Sequence, residues 1–468
     1  MVAVPQDIRW GRTYEGFSED TALVTQLSQA YIRGFQTLPP GYVATPGQTF
    51  FGGATAKHFI GDGGTIWGPS RQFLLNTQCM LDQGKVQLPE SALRSLFLPP
   101  YQAAMEADVM SIMASYSSWR GTRMHAQKYL LTDLLKGELG YQGFIVADCD
   151  GIQQVDADCY TVAVTSINAG VDMAMCPGSH ITFLGTLKQA VEKGDVTEER
   201  IDNATRRILR AKFKLGLFEK PFADTSLVTT VGSAEHRLLA LQAVHESLVL
   251  LKNDNQALPI DKNVPMILLA GIDSTGVQSG GWTPEWQGVT ENLKSATTIF
   301  ESLKAALSLD SQVLYDSSGR FPNFSGMAPA GVVIVGELPY AEGVVDLADL
   351  HLSSQDIGII NQMRGKVENL IVVILSGRPL VITEQYMTVD AWVAAWLPGS
   401  EGTGEADVLL GETPFTGKLP YSWPRSNEQL PINKNNTAGK IGCEAPFFPF
   451  GHGLGQAGSQ PVEWLDCP

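Results

Sequence analysis

The chain has 468 residues, of which 44% are hydrophobic and 18% are charged, so it can bury more than one hydrophobic core. Its formal charge of −16 at pH 7 argues against nucleic acid or an anionic membrane as a partner. Apolar runs such as Ile371 to Leu375 are too short to span a bilayer, and Met1 to Arg12 lacks the apolar core of a signal peptide. These properties favour a folded protein that does not insert into a membrane.

Up to about residue 215, short β-rich runs alternate with helical patterns, which predicts βα units and a parallel sheet. The predicted strands are 54–60, 111–117, 144–148 and 171–175, and the predicted helices are 122–139 and 197–215. Gly216 and then Pro221 follow the second of these helices as a stop signal. Residues 219–233 then have the pattern of a linker.

A second alternating region follows this linker. It opens with a predicted helix at 234–252 and continues with strand-like apolar runs at 265–270, 332–336, 370–376 and 391–396. Alternating strands and helices again indicate an α/β layer domain. The sequence therefore predicts an α/β protein with a first domain at 1–218, a linker at 219–233 and a second domain at 234–468.

The most informative stretch is GFIVADCDGI at 143–152, where an apolar run ends in a carboxylate and a loop bounded by glycine. In a barrel of parallel strands, side chains at the C-terminal strand ends point into the active-site mouth. Asp148 is therefore the first candidate for chemistry. From this stretch alone, the alternative is that Asp148 only caps the following turn.

Several individually rare motifs occur in an order and spacing that resemble glycoside hydrolase family 3. In the first half they are DIRWGR at 7–12, AKHFIGDGGT at 56–65, and SYSSW at 115–119 followed by Met124 and His125. In the second half they are ESLVLLKN at 246–253, GGWTPEWQG at 280–288, VGELPY at 335–340, SGRP at 376–379 and WLPGSEG at 396–402. The second set is similar to the two-domain β-glucosidase and exo-β-glucan glucohydrolase branch. The resemblance runs over nearly the whole chain.

Cleavage of a glycosidic bond needs two carboxyl groups, one to protonate the leaving oxygen and one to meet the developing positive charge. The resemblance implies that Asp148 is the nucleophile and that Glu337, from the second domain, is the acid/base. That assignment corresponds to a retaining reaction. Glu342, five residues on, is the rival acid, and Glu337 is preferred because it directly follows an apolar strand.

The resemblance also implies a set of substrate-binding residues. Arg12, Lys57 and His58 match positions that hold the non-reducing-end sugar through charge-assisted hydrogen bonds. Tyr116 matches a residue beside the nucleophile, and Trp282 matches an aromatic wall that stacks on the next sugar ring. Taken singly, these residues would more often be surface cations, a core histidine or a core tryptophan.

Two features depart from the family pattern. Cys149 follows the nucleophile where the glucan-hydrolysing branch usually has tryptophan, which affects binding of the second sugar. The chain also begins almost at the 7–12 motif, whereas family members carry further barrel strands before it. A complete (β/α)8 barrel typically needs about 250 residues. We therefore expect a (β/α)8 TIM-type barrel that is N-terminally truncated, followed by an α/β sandwich domain.

The function implied by the resemblance is retaining, exo-acting hydrolysis of terminal non-reducing β-D-glucosyl residues from oligosaccharides or β-glucans. The expected partner is the β-glucoside or β-glucan substrate, and no cofactor or metal is expected. The alternatives are a β-xylosidase or other exo-glycosidase of the same family, and an inactive sugar-binding fragment. A nucleotide-binding domain is disfavoured because no Gly-rich phosphate loop joins a strand to a helix.

The six cysteines lack the spacing of a zinc site and the density of a disulfide scaffold. Cys443 and Cys467 are candidates for a pair near the C-terminus, a question that the sequence leaves open. The resemblance suggests a secreted or periplasmic protein, although this chain carries no signal peptide. The oligomeric state is left open.

Overall fold

The structure, a computed structural model, describes residues 1–72, 77–271, 279–290, 296–455 and Cys467. It divides into two units. Unit 1 comprises Met1–Gln6 and Glu15–Thr225, and unit 2 comprises Asp7–Tyr14 and Ser226–Pro468. The later boundary falls inside the 219–233 segment, whereas the short stretch Asp7–Tyr14 belongs to unit 2 although it lies near the start of the chain. Within the described ranges, no helix combines the length and apolar character needed to cross a membrane.

Unit 1 alternates short strands with helices. Its α-helices are α1 (Thr21–Gln36), α2 (Glu90–Glu106), α3 (Cys159–Ala169), α4 (His180–Lys193) and α5 (Glu198–Lys214), and a π-helix spans Tyr129–Glu138. Its strands are β1 (Thr55–Phe59), β2 (Ser70–Gln72), β3 (Thr77–Cys79), β4 (Lys85–Val86), β5 (Ser111–Ala114), β6 (Ser118–Trp119), β7 (Thr122–Arg123) and β8 (Phe144–Val146). The 3₁₀ turns include Asp62–Gly64, Met124–Ala126 and Gly151–Gln154.

A parallel sheet in the order β1-β5-β8 lies at the centre of unit 1. An isolated parallel bridge between Val146 and Met173 continues it beyond β8. Every residue of β8 is buried, which agrees with the continuous apolar run expected of a strand in a parallel sheet. The predicted α/β class is therefore confirmed. In the described part of unit 1, this central sheet consists of three parallel strands and the bridge at Met173, and a separate small sheet contains the parallel pair β4 and β6.

The predicted helix at 197–215 is confirmed as α5, and its ends have clear causes. The Thr197 side chain caps the first turn by accepting the Arg200 N–H. Glu198 and Glu199 lie in the first turn and basic residues in the last, an arrangement that favours the helix dipole.

The predicted helix at 122–139 is wrong in its first part. Gly121, with a φ of 82°, closes a tight turn that pairs β6 with β7, a 3₁₀ turn follows at Met124–Ala126, and the long helix begins only at Tyr129. The predicted strand at 171–175 is reduced to the single bridge at Met173. In both places, hydrogen bonds to neighbouring segments decide the conformation more strongly than local sequence spacing does.

Unit 2 is built on a mixed sheet of six strands. Its strands are β9 (Val249–Asn253), β10 (Met266–Ala270), β11 (Gln312–Tyr315), β12 (Ala328–Gly336), β13 (Val367–Leu375) and β14 (Ala391–Trp396). Its α-helices are α6 (Ala234–Ser247), α7 (Ile299–Ala306), α8 (Ser354–Arg364), α9 (Thr383–Tyr386), α10 (Gly402–Leu409) and α11 (Lys434–Thr437). The strand order is β11-β10-β12-β13-β14-β9, and only β9 runs antiparallel to its neighbour. Separate hydrophobic clusters cover the two faces of this sheet, as in an α/β layer domain.

The predicted helix at 234–252 is also corrected. Helix α6 ends at Ser247, and Val249–Asn253 forms β9, which pairs with β14. The first four residues of β9 are buried, so pairing and burial in the sheet override the helical spacing of the sequence. Near the C-terminus, Cys443 and Cys467 form a disulfide, which the sequence had left open.

A buried carboxylate joins three elements of unit 1. The Asp172 side chain accepts the Ile145 N–H of β8 at 2.8 Å, and the Lys136 ammonium and Arg200 guanidinium also donate to it at 2.8 Å each. Lys136 belongs to the π-helix and Arg200 to α5. Burial lowers the pKa of Lys136 to about 8, against the opposing effect of Asp172. Asp172 therefore ties β8 to both helices through one charged centre.

We predict that Asp172→Asn lowers the free energy of unfolding by about 3 kcal/mol or more, because two partly buried cations lose the charge of a buried carboxylate. The change is nearly isosteric, so the loss would report on charge rather than on packing. Urea unfolding, compared at the midpoint with the wild type, measures the effect. The matched control is Asp195→Asn at an exposed carboxylate that accepts the Tyr160 hydroxyl, where we expect a change within about 0.5 kcal/mol. A small effect at Asp172 would mean that the charged centre is not needed for stability.

Candidate active site

Asp148 lies two residues after the end of β8, in the loop that follows the strand. The Ala147 N–H donates to the Met173 carbonyl at 2.9 Å, which ends the sheet pairing one residue before Asp148. Asp150 then adopts a left-handed conformation, with φ of 51°, and a 3₁₀ turn begins at Gly151. The strand and the turn together hold Asp148 at the C-terminal end of the sheet, where parallel-stranded folds place their reactive groups.

Each carboxylate oxygen of Asp148 has a defined neighbour. Its Oδ1 accepts the Cys149 N–H at 2.8 Å, and its Oδ2 lies 3.4 Å from Nε2 of His58. The residue is 8% exposed, so the carboxylate is largely removed from water. A carboxylate oriented by a backbone donor and an imidazole is suited to act as a nucleophile or to stabilise a nearby positive charge.

His58 is held on its other side by a second carboxylate. His58 comes from β1, and its Nδ1 lies 3.0 Å from Oδ2 of Asp62 in the 3₁₀ turn that follows the strand. The other oxygen of Asp62 accepts the Gly63 N–H at 3.0 Å. Both side chains are buried. Asp62 therefore fixes the direction of the imidazole that faces Asp148.

His125 contacts the main chain of Asp148. Its Nε2 accepts the Asp148 N–H at 3.1 Å, and the ring is 1% exposed. Burial, and to a smaller degree the nearby Arg123, lowers the pKa of His125 to about 3. The imidazole is therefore neutral over the ordinary pH range and can accept a hydrogen bond.

Two further predicted site residues lie in unit 1. The Tyr116 hydroxyl donates to the carbonyl of Cys149, so the structure places it beside Asp148 as the sequence predicts. Its own carbonyl accepts an N–H of Arg123 at 2.8 Å. Lys57 precedes His58 on β1 and is half-buried. Unit 1 thus brings together Asp148, His58 and Tyr116, with Lys57 next to them in sequence.

In unit 2, Glu337 follows the end of β12, as predicted from the apolar run. Its Oε1 accepts two N–H groups of Arg378, at 2.8 and 3.0 Å, and its Oε2 accepts the Tyr340 hydroxyl at 2.9 Å. The Arg378 side chain is completely buried. Glu337 is therefore the partly buried half of a forked ion pair with a buried guanidinium.

Glu342, the rival carboxylate, lies against Arg12. Oε1 of Glu342 is 3.3 Å from Nη1 of Arg12, and both residues are buried. Glu342 has a φ of 57°, which a residue other than glycine adopts only at a cost. Residues with strained backbone of this kind cluster at functional sites.

Arg12 reaches Glu342 because the segment Asp7–Tyr14 is bound to unit 2 by its main chain. The Gly11 N–H donates to Asp346 at 2.9 Å, and the Arg9 carbonyl accepts from Arg378 at 2.9 Å and from the Leu347 N–H at 3.1 Å. A methyl group at Gly11 would lie 2.4 Å from the Glu342 carbonyl oxygen, so glycine permits this close approach. The geometry of Arg12 is therefore set within unit 2.

Trp282 is an exposed aromatic residue. The residue is 46% exposed and has a φ of 67°. Its backbone N–H donates to the Trp286 carbonyl at 2.9 Å. The two indole rings lie 6.4 Å apart at an angle of 42°. An exposed indole of this kind could stack on a sugar ring, and that role stays a prediction for Trp282.

Asp62, His125, Tyr340 and Arg378 contact the candidate residues, although sequence reasoning assigned none of them a role. All four lie inside the recognised motifs, but a motif does not say which of its side chains contact a carboxylate. The available signal was residue type, because each can donate to or accept from a charged group at close range. Among the described residues, no group of three or more His, Cys, Asp or Glu side chains is placed to hold a metal ion.

Comparison with known families assigns both halves of the chain. Residues 1–211 match the Glycosyl hydrolase family 3 N terminal domain, and residues 248–456 match the Glycosyl hydrolase family 3 C-terminal domain. These two matches cover each side of the linker, in agreement with the resemblance found in the sequence.

Individual relatives point to the same family. The chain is 28% identical to "Lysosomal beta glucosidase" of Dictyostelium discoideum, over 95% of this chain and 56% of that protein. It is 31% identical to "Beta-xylosidase" of Formosa agariphila, over 96% of this chain and 65% of that protein. The chain therefore spans between 56% and 65% of the length of these two curated relatives.

A solved structure agrees over nearly the whole chain. The exo-1,3/1,4-beta-glucanase (ExoP) of a Pseudoalteromonas species superposes with a TM-score of 0.87 and 37% identity, over 99% of this chain and 75% of that one. Similarity at this level, in sequence and in fold together, extends across both units. The chain belongs to glycosyl hydrolase family 3.

Proposed function

We propose that this chain is a retaining exo-glycosidase that removes terminal non-reducing β-D-glucosyl residues from oligosaccharides or β-glucans. The observation that supports this most directly is Asp148, a largely buried carboxylate at the end of a parallel strand, oriented by a backbone N–H and faced by His58. Family membership and relatives described as a beta glucosidase and an exo-1,3/1,4-beta-glucanase favour the same substrate class.

The proposed reaction has two steps. In the first, an Asp148 oxygen bonds to the anomeric carbon, the bond from that carbon to the leaving oxygen breaks, and a carboxylic acid of unit 2 gives its proton to the leaving oxygen. In the second, the same group of unit 2, now a carboxylate, takes a proton from water, whose oxygen displaces Asp148 from the sugar. The configuration at the anomeric carbon is retained because it inverts twice.

The contacts in unit 2 bear on which glutamate supplies the proton. Glu337, preferred from the sequence, uses both oxygens as acceptors, two N–H groups of Arg378 reaching one and the Tyr340 hydroxyl the other. A general acid must instead carry a proton on an oxygen that reaches the leaving group. Glu342 is paired with Arg12 through an N–H group at 3.3 Å, a longer contact than those in the fork at Glu337, and its backbone is strained. We therefore propose Glu342 as the first candidate for the acid/base and Glu337 as the alternative, reversing the order suggested by the sequence.

The remaining residues are proposed to bind the sugar. Lys57 in unit 1 and Arg12 in unit 2 supply charged donors for sugar hydroxyls, and His58 supplies an imidazole. Trp282 supplies the stacking face for the next ring. A β-xylosidase is the second candidate, because the relative from Formosa agariphila is described as one. Rates on a panel of aryl β-glycosides distinguish these candidates, and a higher rate on the xyloside than on the glucoside would favour the second.

We predict that Asp148→Asn lowers turnover of an aryl β-glucoside by about three orders of magnitude or more, because the covalent intermediate requires the carboxylate. The variant should still fold, since asparagine is nearly isosteric. The control is Asp156→Asn, an exposed residue of the loop that follows, which should turn over at the wild-type rate. Wild-type turnover in the Asp148 variant would remove this residue from the role of nucleophile.

We predict a split result for Glu342→Gln. Glucosides with poor leaving groups should lose most of their turnover, whereas dinitrophenyl glucosides should keep a near-normal first step because their leaving group departs without a proton. Azide needs no base and should restore turnover by forming glucosyl azide, which chromatography detects. The matched control is Glu337→Gln, for which we expect no rescue. Rescue confined to the Glu337 variant would return the acid/base role to Glu337.

A further inference from the structure

His125 contacts the main chain of the nucleophile candidate, and the mechanism above does not use it. Its Nε2 accepts the Asp148 N–H at 3.1 Å, while Oδ1 of Asp148 accepts the next N–H, that of Cys149, at 2.8 Å. Two consecutive backbone groups are thus fixed, one by the histidine and one by the carboxylate itself. The hydrogen bond to His125 holds the peptide from which the Asp148 side chain projects.

The position of the His125 ring is set by close packing. A methyl group added at Gly151 would lie 2.5 Å from Cε1 and 2.8 Å from Nε2 of the imidazole, so the glycine backbone packs directly against the ring. On another side, the Tyr116 ring lies 6.3 Å away, centroid to centroid. The histidine itself sits in the 3₁₀ turn Met124–Ala126, whose first N–H donates to the Ser117 carbonyl at 3.0 Å. The ring therefore has little room to move.

The other ring nitrogen shows that packing alone does not explain this histidine. Because Nε2 accepts a hydrogen bond in a neutral ring, the proton is on Nδ1. Nδ1 is buried, and the described residues provide it with no hydrogen-bond partner. A buried donor without a partner destabilises the fold, so an apolar side chain would be the better choice if the site only needed filling.

We propose that His125 is a positioning residue for Asp148, and that its Nε2 holds the Asp148 N–H so that the carboxylate keeps the direction needed for attack on the anomeric carbon. This inference rests on the proposed function. The effect should appear in the rate at which the glycosyl-enzyme forms and much less in substrate binding, because His125 acts on the backbone of the nucleophile. A purely structural histidine would instead change stability without this selectivity.

The test uses three substitutions that differ in where they place an acceptor. His125→Gln puts an amide oxygen near the position of Nε2, His125→Asn puts one near Nδ1, and His125→Met fills a similar space without one. The probe is 2,4-dinitrophenyl 2-deoxy-2-fluoro-β-D-glucoside, which transfers its fluorosugar to the nucleophile and releases one equivalent of dinitrophenolate. Its release gives a maximal rate constant and a half-saturating concentration, and peptide mass spectrometry identifies the labelled residue.

We expect His125→Gln to form the intermediate within about threefold of the wild-type rate, and the Asn and Met variants to be slower by about thirtyfold or more. The half-saturating concentration should stay within about threefold in all three variants. If His125→Met does not fold, the comparison of Gln with Asn still decides, because both carry the same amide and differ only in reach.

Two outcomes would overturn the inference. Wild-type labelling rates in the Asn and Met variants would show that the hydrogen bond is not needed, and equal slowing in all three variants, Gln included, would show that only the intact ring matters. Failure of the proposed function looks different, because the wild-type chain would then not be labelled at Asp148 at all.

Discussion

The buried charge of Asp172 is the constraint on which the active half of unit 1 depends. One carboxylate accepts the main chain of β8 at Ile145 and the cations of two separate helices. Asp148 lies three residues after Ile145, just beyond the end of β8. The anchored strand therefore fixes the position of its carboxylate. A buried ion pair of this kind adds little net stability but is costly to break, and its geometry is correspondingly well defined.

Asp172 and Asp148 differ in the groups that face their carboxylates. Each residue is 8% exposed as a whole, but the Asp172 side chain is fully buried whereas the Asp148 side chain is 12% exposed. The Asp172 carboxylate accepts hydrogen bonds from the Lys136 ammonium, the Arg200 guanidinium and one backbone N–H. Asp148 faces an imidazole and a backbone donor in a loop at the end of the sheet. In unit 2, Glu337 is paired with the forked guanidinium of Arg378, and Glu342 is paired with Arg12 from a left-handed backbone position.

The sequence predicts those parts of the protein whose causes are local. Strand β8 and Asp148 follow from an apolar run that ends in a loop signal, and α5 follows from its cap and its charged ends. Long-range contacts account for the failures. The hairpin at Thr122–Arg123 and the strand Val249–Asn253 carry helical spacing, yet hydrogen bonds to β6 and β14 decide their conformation. Likewise, no local pattern in the sequence predicts that Arg378 donates hydrogen bonds to Glu337, which lies 41 residues earlier in the chain.

The attachment of Asp7–Tyr14 to unit 2 also has an evolutionary consequence. The chain enters unit 2 for eight residues, returns to unit 1 at Glu15, and reaches unit 2 again only at Ser226. Recombination that exchanged the two domains at the linker would therefore separate Arg12 and Ile8 from the surfaces that receive them, Glu342 for the first and the cluster around Leu350 for the second. A viable chimaera would need a second crossover that also exchanges Asp7–Tyr14, or a unit 2 whose surface already fits the foreign segment. This requirement favours inheritance of the two domains together.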